Sequence, residues 1–205
     1  MGLFSRRKIG GIIAYLDLED FWLSCTKEEQ DCMIRWHQNA MGGSLHPSPI
    51  VGKIDWSTRT RLQYLTGIIS TSTSEHLSAF RNKALSYAEK YCYDAGRLID
   101  KHFYLQAVAE SFYKERDTNP SAIETCIEYC KRDIELFPKY RKPLDREMDG
   151  LPRIATFQRL AIIYEKQGQI DEAIKICKKA LKYKLRDSTK GGYEGRIEKL
   201  EKKRR

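Results

Sequence analysis

A chain of 205 residues with 41% apolar and 32% charged side chains can bury a core, and it is too apolar for a generally disordered protein. Its formal net charge of +9 is unevenly placed. Residues 175–205 carry 13 Lys and Arg against 4 Asp and Glu, while residues 1–174 are balanced.

The opening, MGLFSRRKIGGIIAYLDLED, sets basic residues before an apolar run from Ile9 to Leu16. Eight residues closed by Asp17, Glu19 and Asp20 are too short and too acidic for an export signal or a membrane span. A cytoplasmic protein without a membrane partner is therefore expected. The acidic trio reads as a helix start that complements the dipole. Thr26 and Glu29 have the spacing of a capping box, opening a helix that carries Cys32, Met33 and Trp36, and AMGGSLHPSPIVGK comes next as a loop. Tyr15, Phe21, Trp22, Trp36 and Trp56 make residues 1–56 an aromatic-rich segment, expected to pack against the N-terminal end of the helices beyond it.

From residue 57 onward the pattern is that of helix pairs. RLQYLTGIISTSTSEHLSAFRNKALSYAEKY gives two amphipathic stretches joined by STSTSE, whose hydroxyls suit an N-cap. VAESFYKERDTNPSAIETCIEYCKRDIELFP gives a second pair. Phe112 and Tyr113 end its first helix and Asp117 to Pro120 turn the chain. Ile127, Ile134 and Leu136 run along the second helix, with Ala122 or Cys126 at its small position and Pro138 as its stop. KYRKPLDREMDGLPR then reads as a linker.

The clearest pair is RLAIIYEKQGQIDEAIKICKKAL. Leu160, Ala161, Ile163 and Tyr164 form one stripe and Ala173, Ile174, Cys177, Ala180 and Leu181 another, with Gly168 as the turn between them. Neither stripe can bury itself alone, so the two helices must close on each other and on a neighbour. After a break at RDSTKGG, YEGRIEKLEKKRR predicts a final helix. Tyr193, Ile197 and Leu200 are its thin apolar side, and Glu198–Lys202 and Glu201–Arg205 are spaced as i,i+4 pairs. Residues 188–205 thus read as a basic capping helix.

Leu160, Ala161, Tyr164, Gly168, Ala173, Ala180 and Leu181 occupy the positions of a tetratricopeptide repeat, and the stretch 154–187 resembles that family. Phe157 stands where Trp is frequent, and Leu185 where the closing Pro is expected. In the same register Ile68 matches Tyr164, and Ala84 and Leu85 match Ala180 and Leu181, so the two earlier pairs resemble degenerate copies spaced about 45 to 51 residues apart, wider than the ~34 of a tight array. The resemblance implies an all-α fold, a short helical-hairpin solenoid over residues 57–187. It also implies a groove lined by the first helix of each pair that takes a protein or peptide segment. On the best pair, Ala155, Gln158, Arg159, Ile162, Glu165 and Lys166 would face that groove. The Lys and Asn with which some family members clamp a terminal carboxylate are replaced here by Gln158 and Ile162.

No catalytic constellation is visible. The histidines at 37, 46, 76 and 102 are scattered, without HExxH, GxSxG, P-loop or dinucleotide motifs. Six cysteines at 25, 32, 92, 126, 130 and 177 include no C-x-x-C pair. Cys126 and Cys130 share a helix face without further ligands, so they read as small core residues and neither metal nor cofactor is expected. A non-catalytic adaptor is the expectation. The alternative is a nucleic-acid-associated protein that grips phosphates through Lys175, Lys178, Lys182, Lys202, Lys203, Arg204 and Arg205, the first three on one helix face. Open ends of a short stack would also allow a homo-oligomer.

Overall fold

The 3.6-residue spacing of apolar side chains that runs through most of the chain produces helices almost everywhere. The computed structural model describes residues 9–39, 48–72, 74–94 and 96–204, and among these no strand occurs. The chain divides into two compact units, residues 1–95 and 96–205, each described by itself below.

In the first unit, α1 (Gly11–Tyr15), α2 (Glu19–Ser24) and α3 (Lys27–Asn39) precede the antiparallel pair α4 (Arg61–Thr71) and α5 (Ser78–Asp94). The first N–H groups of α1 find acceptors in a distant loop. Gly10, Gly11 and Ile13 donate to the carbonyls of Ile50, Gly52 and Pro49 at 2.9, 2.7 and 3.1 Å. Gly11 takes a left-handed φ of +57°, and a Cβ there would stand 2.5 Å from the Pro49 oxygen; only glycine lets the two backbones meet this closely. The Thr26–Glu29 capping box is present, with the Thr26 N–H donating to Glu29 at 2.7 Å and the Glu29 N–H to the Thr26 hydroxyl at 3.3 Å. A second box, Thr60 with Gln63, opens α4.

The aromatic segment splits. Phe21 packs on Phe80 and Tyr87 of α5 with centroids 6.3 and 5.1 Å away, and Trp36 meets Tyr64 of α4 edge-on at 5.0 Å. Phe21 and Trp22 are buried, whereas Tyr15 is 37% and Trp56 77% exposed, so neither of these two fills core. The helix pair expected to open the repeat array thus groups with the N-terminal segment in one unit.

The second unit holds α6 (Leu98–Lys114), α7 (Ala122–Glu147), α8 (Ala155–Lys166), α9 (Ile170–Lys182) and α10 (Gly192–Arg204), each packed on the next. Its core matches the expected stripes of α8 and α9: Leu160, Ala161, Ala173, Cys177 and Ala180 are fully buried, which lets the two backbones approach. Leu181 is only half-buried. Between them the chain turns at Gly168, φ +74°, where the N–H groups of Gly168 and Gln169 reach back to the carbonyls of Glu165 and Tyr164, a Schellman end.

The largest departure is in α7. Pro138 is a stop signal in the sequence and residues 139–153 read there as linker, yet α7 continues through Pro138 and Pro143 for 26 residues. Proline opposes a helix interior by about 3 kcal/mol. Here Phe137, Tyr140 and Leu144, all fully buried, supply the packing that overrides it. The inward stripe is Ala122, Cys126, Cys130, Ile134 and Phe137, which includes both candidate small positions, while Ile127 and Leu136 are half-buried at its margins.

Candidate functional site

On α8, buried positions 156, 157, 160, 161, 163 and 164 alternate with the half-buried Ala155, Gln158, Arg159, Ile162 and Glu165 and the exposed Lys166. The six positions expected to face a groove therefore share the helix side turned from the core. They do not share one fate. Gln158 exchanges hydrogen bonds with the Ser188 hydroxyl at 3.0 and 3.2 Å. Glu165 accepts from Lys203 at 2.5 Å and lies 3.6 Å from Arg196. Both are thus committed to the C-terminal segment, which covers that edge of α8.

Arg159 points the other way, to α6. It donates to Glu110 and lies over the Tyr113 ring, 5.5 Å from its centroid. Burial lowers the guanidinium pKa to about 10, since desolvation disfavours the charged form. Its Nη1 is buried and has no hydrogen-bond acceptor among the described residues, and the same is true, for a donor, of Gln106 Oε1 on α6, one turn before Glu110. Sequence patterns alone do not single out Gln106 and Glu110, and they mark Tyr113 only as the end of its helix. Their 4- and 3-residue spacing, which puts them on one face of α6, is the signal that could have found them. With Ile162 one turn beyond Arg159, this α6–α8 face offers a desolvated donor, a carboxylate, an aromatic ring and a half-buried aliphatic side chain.

Deeper between the same helices lies a closed polar junction. Asp133 of α7 accepts from Thr156 of α8 at 2.6 Å through one oxygen and contacts His102 Nδ1 of α6 at 2.8 Å through the other. Tyr140 stacks on the imidazole at 4.3 Å, and its hydroxyl pKa is raised by burial and by the Asp133 charge. Asp133, Thr156 and His102 are 0, 0 and 1% exposed. A carboxylate shared by two donors and sealed from solvent ties three helices together; it presents no nucleophile to a substrate.

The basic residues separate into two groups. Lys175 pairs with Glu172 at 2.5 Å, Lys203 with Glu165, and Arg204 with Asp171 at 3.1 Å. Lys178, Lys182 and Lys202 are exposed without an ion pair among the described residues, and Arg205 lies outside those residues. Of the intrahelical pairs expected in α10, Glu198–Lys202 is not formed among the described residues and Glu201–Arg205 lies outside them; Lys203 and Arg204 bond instead to α8 and α9, and Arg196 bonds to Asp187 at 2.9 Å. The cysteines are free thiols, all buried except the half-exposed Cys32. Among the described residues no group of three or more His, Cys, Asp or Glu is placed to hold a metal ion, and no helix is long and apolar enough to cross a membrane.

No family model matches the chain, and no solved structure matches it significantly. The chain is similar to an uncharacterized protein of Aquifex aeolicus (strain VF5), 26% identical over 144 residues that cover 68% of this chain and 67% of the relative.

Proposed function

We propose that residues 96–205 form a short array of tetratricopeptide-like helix pairs, α6–α7 and α8–α9 with α10 as the cap, that acts as a non-catalytic adaptor and binds a peptide or protein segment along the α6–α8 face. The observation that carries this reading is Arg159. Its guanidinium is held by Glu110 and Tyr113 yet keeps one nitrogen buried and unpaired, a costly arrangement because folded proteins pair most of their buried polar groups. A segment that offers a carbonyl or carboxylate oxygen beside an aliphatic side chain would satisfy the nitrogen and cover Ile162. The likeness of 154–187 to the repeat and the Schellman turn at Gly168 support the same reading. Selection from a displayed random-peptide library against the full chain tests it. Enriched peptides should lose tenfold or more in affinity on Ile162→Glu, with Arg159→Lys behaving similarly and Lys178→Ala having no effect. Peptides that bind Ile162→Glu as tightly as the parent would refute the site.

A further inference from the structure

The continuation of α7 through its prolines brings together two basic segments that lie far apart in sequence. Tyr183, which ends α9, packs against Phe137 at 4.9 Å and sits under the Arg141 guanidinium at 6.0 Å. The stretch of α7 from Phe137 to Arg141 therefore meets the end of α9 at Tyr183, which brings the basic residues 139–146 and 178–186 to one end of the unit. Together the two stretches contain nine Lys and Arg and one carboxylate, Asp145. None of the nine makes an ion pair among the described residues, in contrast to Lys175, Lys203 and Arg204.

Complementing helix dipoles accounts for cations in a last turn, which covers Lys179 and Lys182. It does not reach Lys139 and Lys142, which lie more than a turn before the end of α7. So many unpaired like charges repel one another and weaken the compact state. A second cost points the same way. The ends of α8 and α9 are both Schellman turns: at α9 the N–H groups of Lys184 and Leu185 bond to Leu181 and Ala180 at 2.8 and 3.1 Å. At α8 the left-handed position is Gly168, but at α9 it is Lys184, φ +58°, a conformation that glycine adopts without penalty and lysine does not. The fold holds a strained lysine at the centre of an unpaired basic surface.

We infer that the joined ends of α7 and α9, with Lys142, Lys182, Lys184 and Arg186 at their core, bind the phosphate backbone of a nucleic acid without reading its sequence. Cations carried on two helix ends suit a chain of phosphates, and among the described residues no recognition element for base edges accompanies them. The two stretches expose no large apolar side chain, and Met148, exposed at the C-cap of α7, is a single residue and not the apolar face that anchors a basic helix in a lipid surface. The inference is independent of the α6–α8 face.

The test is fluorescence anisotropy of the full chain with a labelled 20-base-pair DNA duplex and a 20-nucleotide RNA between 50 and 200 mM salt. With about five phosphate contacts, affinity for the duplex should fall about 500-fold over that range. Lys142→Gln with Lys182→Gln should reduce the salt slope by about two. Lys184→Gly is the decisive variant: it should raise the thermal midpoint and yet weaken binding, which a purely structural role cannot do. Lys202→Gln should leave the affinity within twofold of the parent. Absence of binding to either nucleic acid at 50 mM salt, an unchanged slope in the double variant, or tighter binding to phosphatidylserine vesicles than to nucleic acid would each overturn the assignment.

Discussion

Replacing Asp133 with alanine should be among the most damaging single changes in the second unit. The substitution removes the acceptor of both Thr156 and His102, bonded at 2.6 and 2.8 Å, and leaves two polar groups sealed where water cannot reach them. Removing one member of such a buried charged junction costs about 3 to 5 kcal/mol. The second unit spans residues 96–205. For a unit of that size each kcal/mol moves the midpoint by roughly 4 °C, so a fall of roughly 12 to 20 °C is expected. Asp133→Asn keeps the shape and one acceptor oxygen, and the Thr156 hydroxyl can rotate to accept from the new amide; its cost should be about 1 kcal/mol. Thr156→Val should cost about 1 to 2 kcal/mol, because it strands one carboxylate oxygen. Circular dichroism melts and urea titrations of the full chain measure all three. If Asp133→Ala proves no worse than Asp133→Asn, the junction is not what ties α6, α7 and α8 together.

The Arg196–Asp187 bond that docks α10 predicts a pH effect. Burial works to raise the Asp187 pKa, but hydrogen bonds from Arg196 and Thr189 outweigh it and the folded value lies below the ordinary one. The stabilisation is then complete above the unfolded pKa of about 4 and is lost as pH falls through the lower folded value. Asp187→Asn should lower the urea midpoint at pH 7, and the gap to the parent should close in acid; a gap independent of pH would refute this. In the first unit, Gly67→Ala should destabilise although alanine is the better helix former by about 1 kcal/mol, because the new Cβ would stand 2.2 Å from the Trp36 ring. A lower melting midpoint and a shifted tryptophan emission are expected. Burial pushes the Cys25 thiol up to about 11 and Cys177 up to about 12, and contact with Cys126 together with burial raises Cys130. Ellman's reagent should therefore titrate one thiol, Cys32, in the native protein at pH 8 and six in denaturant.

The features legible in the sequence are local. The α8 and α9 stripes, the Gly168 turn, the Thr26–Glu29 box and the final helix all derive from spacings of three to four residues, and all are present. The course of α7 is not legible. Proline is a correct local stop signal, and only the burial of Phe137, Tyr140 and Leu144 by other helices reverses it. The polar junction has no local signal either, since its members are separated by 31 and 23 residues. On the candidate face the side of α8 is readable from periodicity. That Gln158 and Glu165 are occupied is not, because Ser188 and Lys203 reach them from a distant segment. Trp56 shows the limit of composition: an aromatic is core far more often than surface, and this one is 77% exposed.

The prolines of α7 also bear on the order in which the molecule assembles. Each deletes a backbone donor, so the stretch after Pro138 has little tendency to coil by itself and cannot propagate cooperatively from the turns before it. Its last turns must wait until Phe137, Tyr140 and Leu144 have partners, which places them late in folding and early in unfolding. Amide protons from Lys139 to Glu147 should accordingly exchange faster than those from Ala122 to Ile134 along the same continuous rod.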